Sequence, residues 1–120
     1  MARYPGERDE RRVPAAVLEA TVRDLFVACD MSGPDASLLA RSLVHADLRG
    51  IHSHGVLRVP DYVAKLTREG VNPKGRPTII SDVGGAIVID GDNAMGQVAG
   101  QFAMELAIER ARTVNIAFAA

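Results

Sequence analysis

Between Val71 and Pro77 the chain reads VNPKGRP, and across this run of breakers the spacing of its apolar side chains changes. Before the break, apolar residues recur every three or four positions; beyond it they cluster as Thr78-Ile79-Ile80 and Ala86-Ile87-Val88-Ile89. The first period belongs to helices with one buried face, the second to strands rich in β-branched residues. A chain that carries both packs helices against a sheet. The expected fold class is therefore α/β, with N-terminal helices followed by a β-hairpin and a long helix.

Each element has readable ends. Pro14 suits a first helical turn, and Leu18, Val22, Leu25, Phe26 and Cys29 then mark one face of a helix ending near Asp30. Ser32-Gly33-Pro34-Asp35 opens a second helix with an acid near its positive end, and Ala36, Leu39, Ala40, Leu43 and Val44 form its stripe until Gly50. Pro60 has no N–H to give, so a third helix begins between about Leu57 and Pro60, with Val59, Val63 and Leu66 inward and Gly70 as its stop. Asp82-Val83-Gly84-Gly85 turns the hairpin. Asp90-Gly91-Asp92-Asn93 leads into a long helix from about Ala94 to Arg112, with Val98, Phe102, Leu106 and Ile108 facing the core. The apolar run from Val114 to Ala120 resembles the opening of a buried strand, whose backbone and side chains find no partner further along. Residues 13–120 are thus expected to be an incomplete segment of a larger domain. Residues 1–12, MARYPGERDERR, are too polar to pack and are expected to form a mobile charged arm.

Charge and cysteine usage narrow the partners. A net charge of −1 with interspersed acids and bases offers no footprint for a nucleic-acid backbone or an anionic membrane, which leaves small molecules or proteins. The single cysteine, Cys29, sits in an apolar helical pattern and fits a core thiol in a reducing compartment. No signal-peptide core or membrane-length apolar run is present, so a soluble cytoplasmic protein is expected.

The densest chemistry lies in GIHSHGVLR, residues 50–58. His54 occupies a Ser-His-Gly turn just ahead of a helix start, where unpaired N–H groups and the helix dipole favour anions. Arg58, one turn on, carries the group that grips a carboxylate through two parallel hydrogen bonds. Histidine moves protons near neutral pH, Ser53 can orient it, and Gly55 leaves room for close approach. The same residues also fit a plainer description: Ser53 as a helix cap, His54 as a loop side chain, Gly55 as a turn residue and Arg58 as a solvated charge. His45 and His52 fit structural or exposed positions. A metal site built from His45, His52, His54 and Asp47 lacks any HExxH or CxxC companion, so no metal is expected. In GDNAMGQVAG, Gly91 and Gly96 have the spacing of a phosphate loop, but Gln97 and Val98 replace its lysine and hydroxyl. No GxGxxG follows a strand. Gly96 and Gly100 are instead expected where another element approaches closely.

The run ADLRGIHSHGVLRVPDYV, then GVNP, IDGDNAMGQVAG and the final NIAFAA, resembles in order the N-terminal third of the malate/L-lactate dehydrogenase family, which lacks a Rossmann fold. That family also includes ureidoglycolate, sulfolactate and diketogulonate enzymes and cyclic imino-acid reductases. The resemblance implies hydride transfer between NAD or NADP and C2 of a 2-hydroxy or 2-oxo acid or a related imine, in a homodimer. It implies that His54 is the proton donor or acceptor, that Ser53 supports it in the catalytic set, and that Arg58 binds the substrate carboxylate. Asp47, Arg49 and Tyr62 match the pattern as supports of the loop. The cofactor-binding residues are not identifiable here, since the SNHFG-like segment and the aspartate that partners the histidine are absent from these 120 residues. Asn115 stands where the family usually has glycine, near a helix end. The alternative to an enzyme segment is a truncated, inactive remnant acting as a helical association module.

Overall fold

A computed structural model describes residues 11–68 and 70–120. The expected arm falls almost wholly outside the described residues; Arg11 and Arg12 are exposed and irregular. The chain forms α1 (Ala15–Ala28), α2 (Gly33–Leu48), two short 3-10 turns (His52–His54 and Val56–Arg58), α3 (Val59–Arg68), β1 (Thr78–Val83), β2 (Ala86–Asp90), α4 (Gly96–Val114) and β3 (Phe118–Ala119). The fold is α/β, with the helices, hairpin and long helix in the order that the apolar periods require.

The core lies between α1 and α2. Val22 and Phe26 of α1 meet Ala36, Leu39, Ala40 and Leu43 of α2, closed off by Leu66 of α3 and by Met31 and Met95. Phe26, Leu39 and Leu43 are fully enclosed, and burial of side chains this size stabilises by roughly 1.5–3 kcal/mol each. All five stripe residues expected on α2 are buried, Val44 included. On α1 the buried pair is narrower than expected: Leu25 stays 46% exposed, because one partner helix covers little more than a single i, i+4 row.

Both inter-helix joints are built by left-handed residues. After α1, Asp30 takes φ 68°, and its N–H reaches Val27 O while the Met31 N–H reaches Phe26 O, which folds Met31 onto the core. Ser32 then caps α2, its hydroxyl oxygen accepting the Asp35 N–H at 3.2 Å. After α2, Gly50 takes φ 77°, with Gly50 N–H to Asp47 O and Ile51 N–H to Ala46 O. This second closure swings the SHG loop back alongside the last turn of α2.

The breaker segment is pinned rather than loose. Arg76 pairs with Asp35 at 2.8 Å, its N–H donates to Asp92 Oδ2 at 2.9 Å, and the Asn72 N–H donates to Asn93 O at 2.9 Å. Beyond it, β1 and β2 are antiparallel from Thr78↔Asp90 to Val83↔Ala86, with a register shift between Ile79 and Ser81. Val83 belongs to β1, so the turn is tighter than expected and consists of Gly84-Gly85. β2 pairs in parallel with β3, giving the order β1-β2-β3 and making β2–α4–β3 a crossover unit. Asn115 ends α4 at φ 71°, the positive value that a glycine would otherwise supply.

The long helix is less covered than its pattern suggested. No α4 residue is fully buried: Val98 packs on the core, Phe102 and Leu106 are half-buried, and Ile108 is 50% exposed. Phe118 of β3 is also exposed. Periodicity reports which side chains share a face, whereas burial needs something laid over that face.

Arg110 fastens α4 to the hairpin, donating through Nη1 and Nη2 to both carboxylate oxygens of Asp82, with the Nη2–Oδ2 bond at 2.6 Å, and to Gly84 O at 2.6 Å. Hydrogen bonding from the guanidinium, aided by its charge and opposed by partial desolvation, holds the Asp82 carboxyl below its ordinary 3.8. A depressed folded value means that the tether is intact above about 3.8 and is lost as pH falls through the lower folded value. In Arg110→Ala the Asp82 pKa is expected to rise toward the ordinary range, as read by carboxyl-carbon NMR titration. An unmoved midpoint would rule out the pairing as the cause.

Candidate active site

Asp47, in the last turn of α2, organises the loop that follows. Its Oδ1 accepts the His52 Nδ1–H at 2.9 Å and its Oδ2 accepts the Val56 N–H at 2.9 Å. The carboxylate is 20% exposed, so both bonds are charge-assisted and partly shielded from water. It sits directly over Gly55: a Cβ there would lie 2.0 Å from Asp47 Oδ1 and 2.2 Å from Asp47 Cγ. Glycine is needed at this position because a carboxylate occupies the space of a side chain.

This closure changes the reading of the helix mouth. The donors before α3 were expected to wait for an external anion, yet the Val56 N–H already serves Asp47, and Arg58 N–H turns back to Gly55 O at 3.0 Å. Part of the anion that the mouth attracts is the protein's own. His52 accordingly takes the structural position, and exposed His45 lies on α2. Among the described residues no group of three His, Cys, Asp or Glu side chains is placed to hold a metal ion.

The three residues singled out in the loop come together. Ser53 Oγ and His54 Nδ1 are hydrogen-bonded at 2.9 Å, so Ser53 fixes one ring nitrogen instead of capping a helix. Arg58 Nε donates to Ser53 O at 2.7 Å and Nη1 to Asp61 Oδ2 at 3.2 Å. His54 and Arg58 then share the wall of an open cleft of about 400 Å³, with Asp61, Tyr62, Ala64 and Lys65 as the other lining residues. Neither side chain is sealed under hydrocarbon.

Asp61 and Lys65 were not anticipated. With Arg58 and Tyr62 they occupy positions 58, 61, 62 and 65, the i, i+3, i+4, i+7 spacing of one helical face. That spacing was visible, but it marks a polar stripe on many solvated helices; the cleft alone distinguishes it. Tyr62, read as a support, lines the cleft, and its hydroxyl oxygen accepts from Gln97 Nε2 at 3.3 Å. Lys65 and Tyr62 also border a second cleft of about 410 Å³ that reaches Val71, Ala94, Met95, Gly96 and Gln97. Gly96 and Gly100 are not sites of close approach: a Cβ at either would meet nothing within 4 Å. Cys29 plays no part here, since burial, and then the charge of Asp30, push its thiol pKa up and away from a reactive thiolate.

Comparison with known proteins agrees with this fold. Residues 13–120 match the sequence profile of malate/L-lactate dehydrogenase. The L-sulfolactate dehydrogenase of Methanocaldococcus jannaschii is 44% identical over 82 residues, covering 68% of this chain and 24% of that protein. The malate dehydrogenase of Pyrococcus abyssi is 39% identical over 109 residues, covering 91% of this chain and 30% of that protein. A solved malate dehydrogenase structure from Pyrococcus horikoshii superposes with a TM-score of 0.89 at 36% identity, over 97% of this chain and 34% of its own. The chain thus spans less than a third of the length of these two curated relatives. A profile match across nearly the whole chain, together with the same fold, establishes that it belongs to the malate/L-lactate dehydrogenase family.

Proposed function

We propose that these residues form the substrate-binding, proton-transferring segment of a cytoplasmic, homodimeric oxidoreductase that interconverts 2-hydroxy and 2-oxo acids, or reduces a related imine. The supporting observation is the shared cleft: a histidine and an arginine, one helical turn apart in sequence, open on the same space. Arg58 receives the substrate carboxylate; its Nε is held by Ser53 O, which fixes the plane of the guanidinium. His54, held at Nδ1 by Ser53, takes the hydroxyl proton at C2 during oxidation and returns it during reduction. Asp47 keeps the loop in register through His52 and Val56.

The family resemblance implies NAD or NADP as the hydride partner. The described residues do not fit a dinucleotide by themselves: Met95 caps α4 without a side-chain bond, and Gln97 is committed to Tyr62 where a phosphate loop would present lysine. We assign the cofactor site to segments outside these 120 residues. The second reading, an inactive association module, draws on exposed apolar residues such as Ile116, Val83 and Phe118. The same residues would serve a dimer interface or cover from further chain.

Arg58→Ala in the longest natural form of the protein separates the two. The enzyme reading expects KM for a 2-oxo acid to rise about 10–100-fold with a smaller change in kcat, since a ground-state carboxylate contact is lost. Steady-state kinetics with NADH and NADPH over a panel of 2-oxo acids provides the measurement. An unchanged KM would count against the assignment, and no turnover by the unaltered protein would favour the module.

A further inference from the structure

We infer that Asp61 is an internal competitor for Arg58: its carboxylate takes a guanidinium contact that a substrate carboxylate needs, and yields it by moving to Lys65. The inference rests on the dehydrogenase reading above, in which Arg58 receives the substrate, and adds the residue that limits how tightly it does so.

Arg58 ends the 3-10 turn Val56–Arg58, directly ahead of α3, and Asp61 lies in the first turn of that helix. A guanidinium grips a carboxylate at two points through neighbouring nitrogens, either Nε with one Nη or the two Nη together. Nε already donates to Ser53 O at 2.7 Å, which leaves the two Nη for substrate. Of these, Nη1 donates to Asp61 Oδ2 at 3.2 Å. A substrate carboxylate in the two-point grip therefore draws on a nitrogen that Asp61 holds, and it meets a like charge beside it.

The two bonds to Arg58 differ in kind. Ser53 O belongs to the backbone and cannot leave, so it orients the guanidinium without help from Asp61. The Asp61 contact is longer and joins side chains that are 44% and 59% exposed, the kind of ion pair that contributes least and exchanges most readily. A second cation stands ready to take the displaced carboxylate. Lys65, exposed and also lining the cleft, follows Asp61 by four residues, and an acid four positions ahead of a lysine is the favoured order on a helix. Asp61 thus exchanges one cation for another.

The test uses the longest natural form with Asp61→Asn and Asp61→Glu. It measures kinetics on a 2-oxo acid and competitive inhibition by oxamate, a 2-oxo acid analogue that is not reduced. In Asp61→Asn the Ki of oxamate and the KM are each expected to fall about 2–5-fold with kcat nearly unchanged, the range set by an exposed ion pair. Asp61→Glu, which keeps the charge, should stay near the unaltered values. Tighter binding cannot come from a damaged fold, and both residues are exposed. Lys65→Met is expected to raise the Ki about twofold in the unaltered protein and less in the Asp61→Asn background. An unchanged or higher Ki in Asp61→Asn overturns the competition. Equal effects of Lys65→Met in both backgrounds overturn the transfer to Lys65. Absence of turnover with every 2-oxo acid overturns the dehydrogenase reading itself, and this inference falls with it.

Discussion

His54→Ala is expected to lower kcat for 2-oxo acid reduction by about 10²–10⁴-fold in the longest natural form, the usual contribution of a positioned acid–base group. Coenzyme affinity, measured by fluorescence titration of NADH or NADPH, should hardly change, because the described residues near His54 do not make up a dinucleotide site. The residual rate should also lose the limb of its pH profile that His54 supplies, whereas a merely structural histidine would leave the profile shape intact. Ser53→Ala should act in the same direction but more weakly, since Ser53 reaches the reaction only by holding His54 Nδ1 at 2.9 Å. Loss of coenzyme affinity matching the loss of rate would point to collapse of the loop and remove His54 from the chemistry.

Gly55→Ala is expected to disable the site without touching substrate. Its Cβ would stand 2.0 Å from Asp47 Oδ1, so the carboxylate must swing away and abandon both His52 and the Val56 N–H. Overpacking plus the loss of two charge-assisted bonds amounts to about 2–3 kcal/mol, reduced from a fully buried case because His52 is 34% exposed. Urea unfolding would read this cost directly. The decisive measurement is a double-mutant cycle with Asp47→Ala. Removing the carboxylate clears the space, so Gly55→Ala should cost far less in that background. Additive losses would mean that the clash is not with Asp47.

Much of the fold was legible because helix and strand signals are local. The α2 stripe from Ala36 to Val44 is wholly buried, Ser32 caps where its type predicts, and Asn115 adopts the positive φ that its place after α4 requires. Errors arose wherever coverage mattered. Leu25 and Ile108 lie on apolar patterns but stay exposed, and Gly96 and Gly100 have no close neighbour beside them. In the site, Ser53, His54 and Arg58 were recognisable from a short motif because the chain itself keeps them adjacent. Asp61 and Lys65 are not legible in the sequence, because charged residues on a helix surface are ordinary until a concave wall gathers them around a cleft.

The amino-acid order alone determined the succession of elements, their stops, and the nearness of Ser53, His54 and Arg58 to one another, since each follows from backbone preferences or spacings within one turn or strand. Tertiary structure decided the rest. It laid the Asp47 carboxylate in the space a side chain at residue 55 would fill, brought Gln97 across to Tyr62, and left one side of α4 uncovered. Such outcomes depend on which distant segments meet, and the free energy of meeting comes from water excluded and charges shared between them, quantities no local pattern carries.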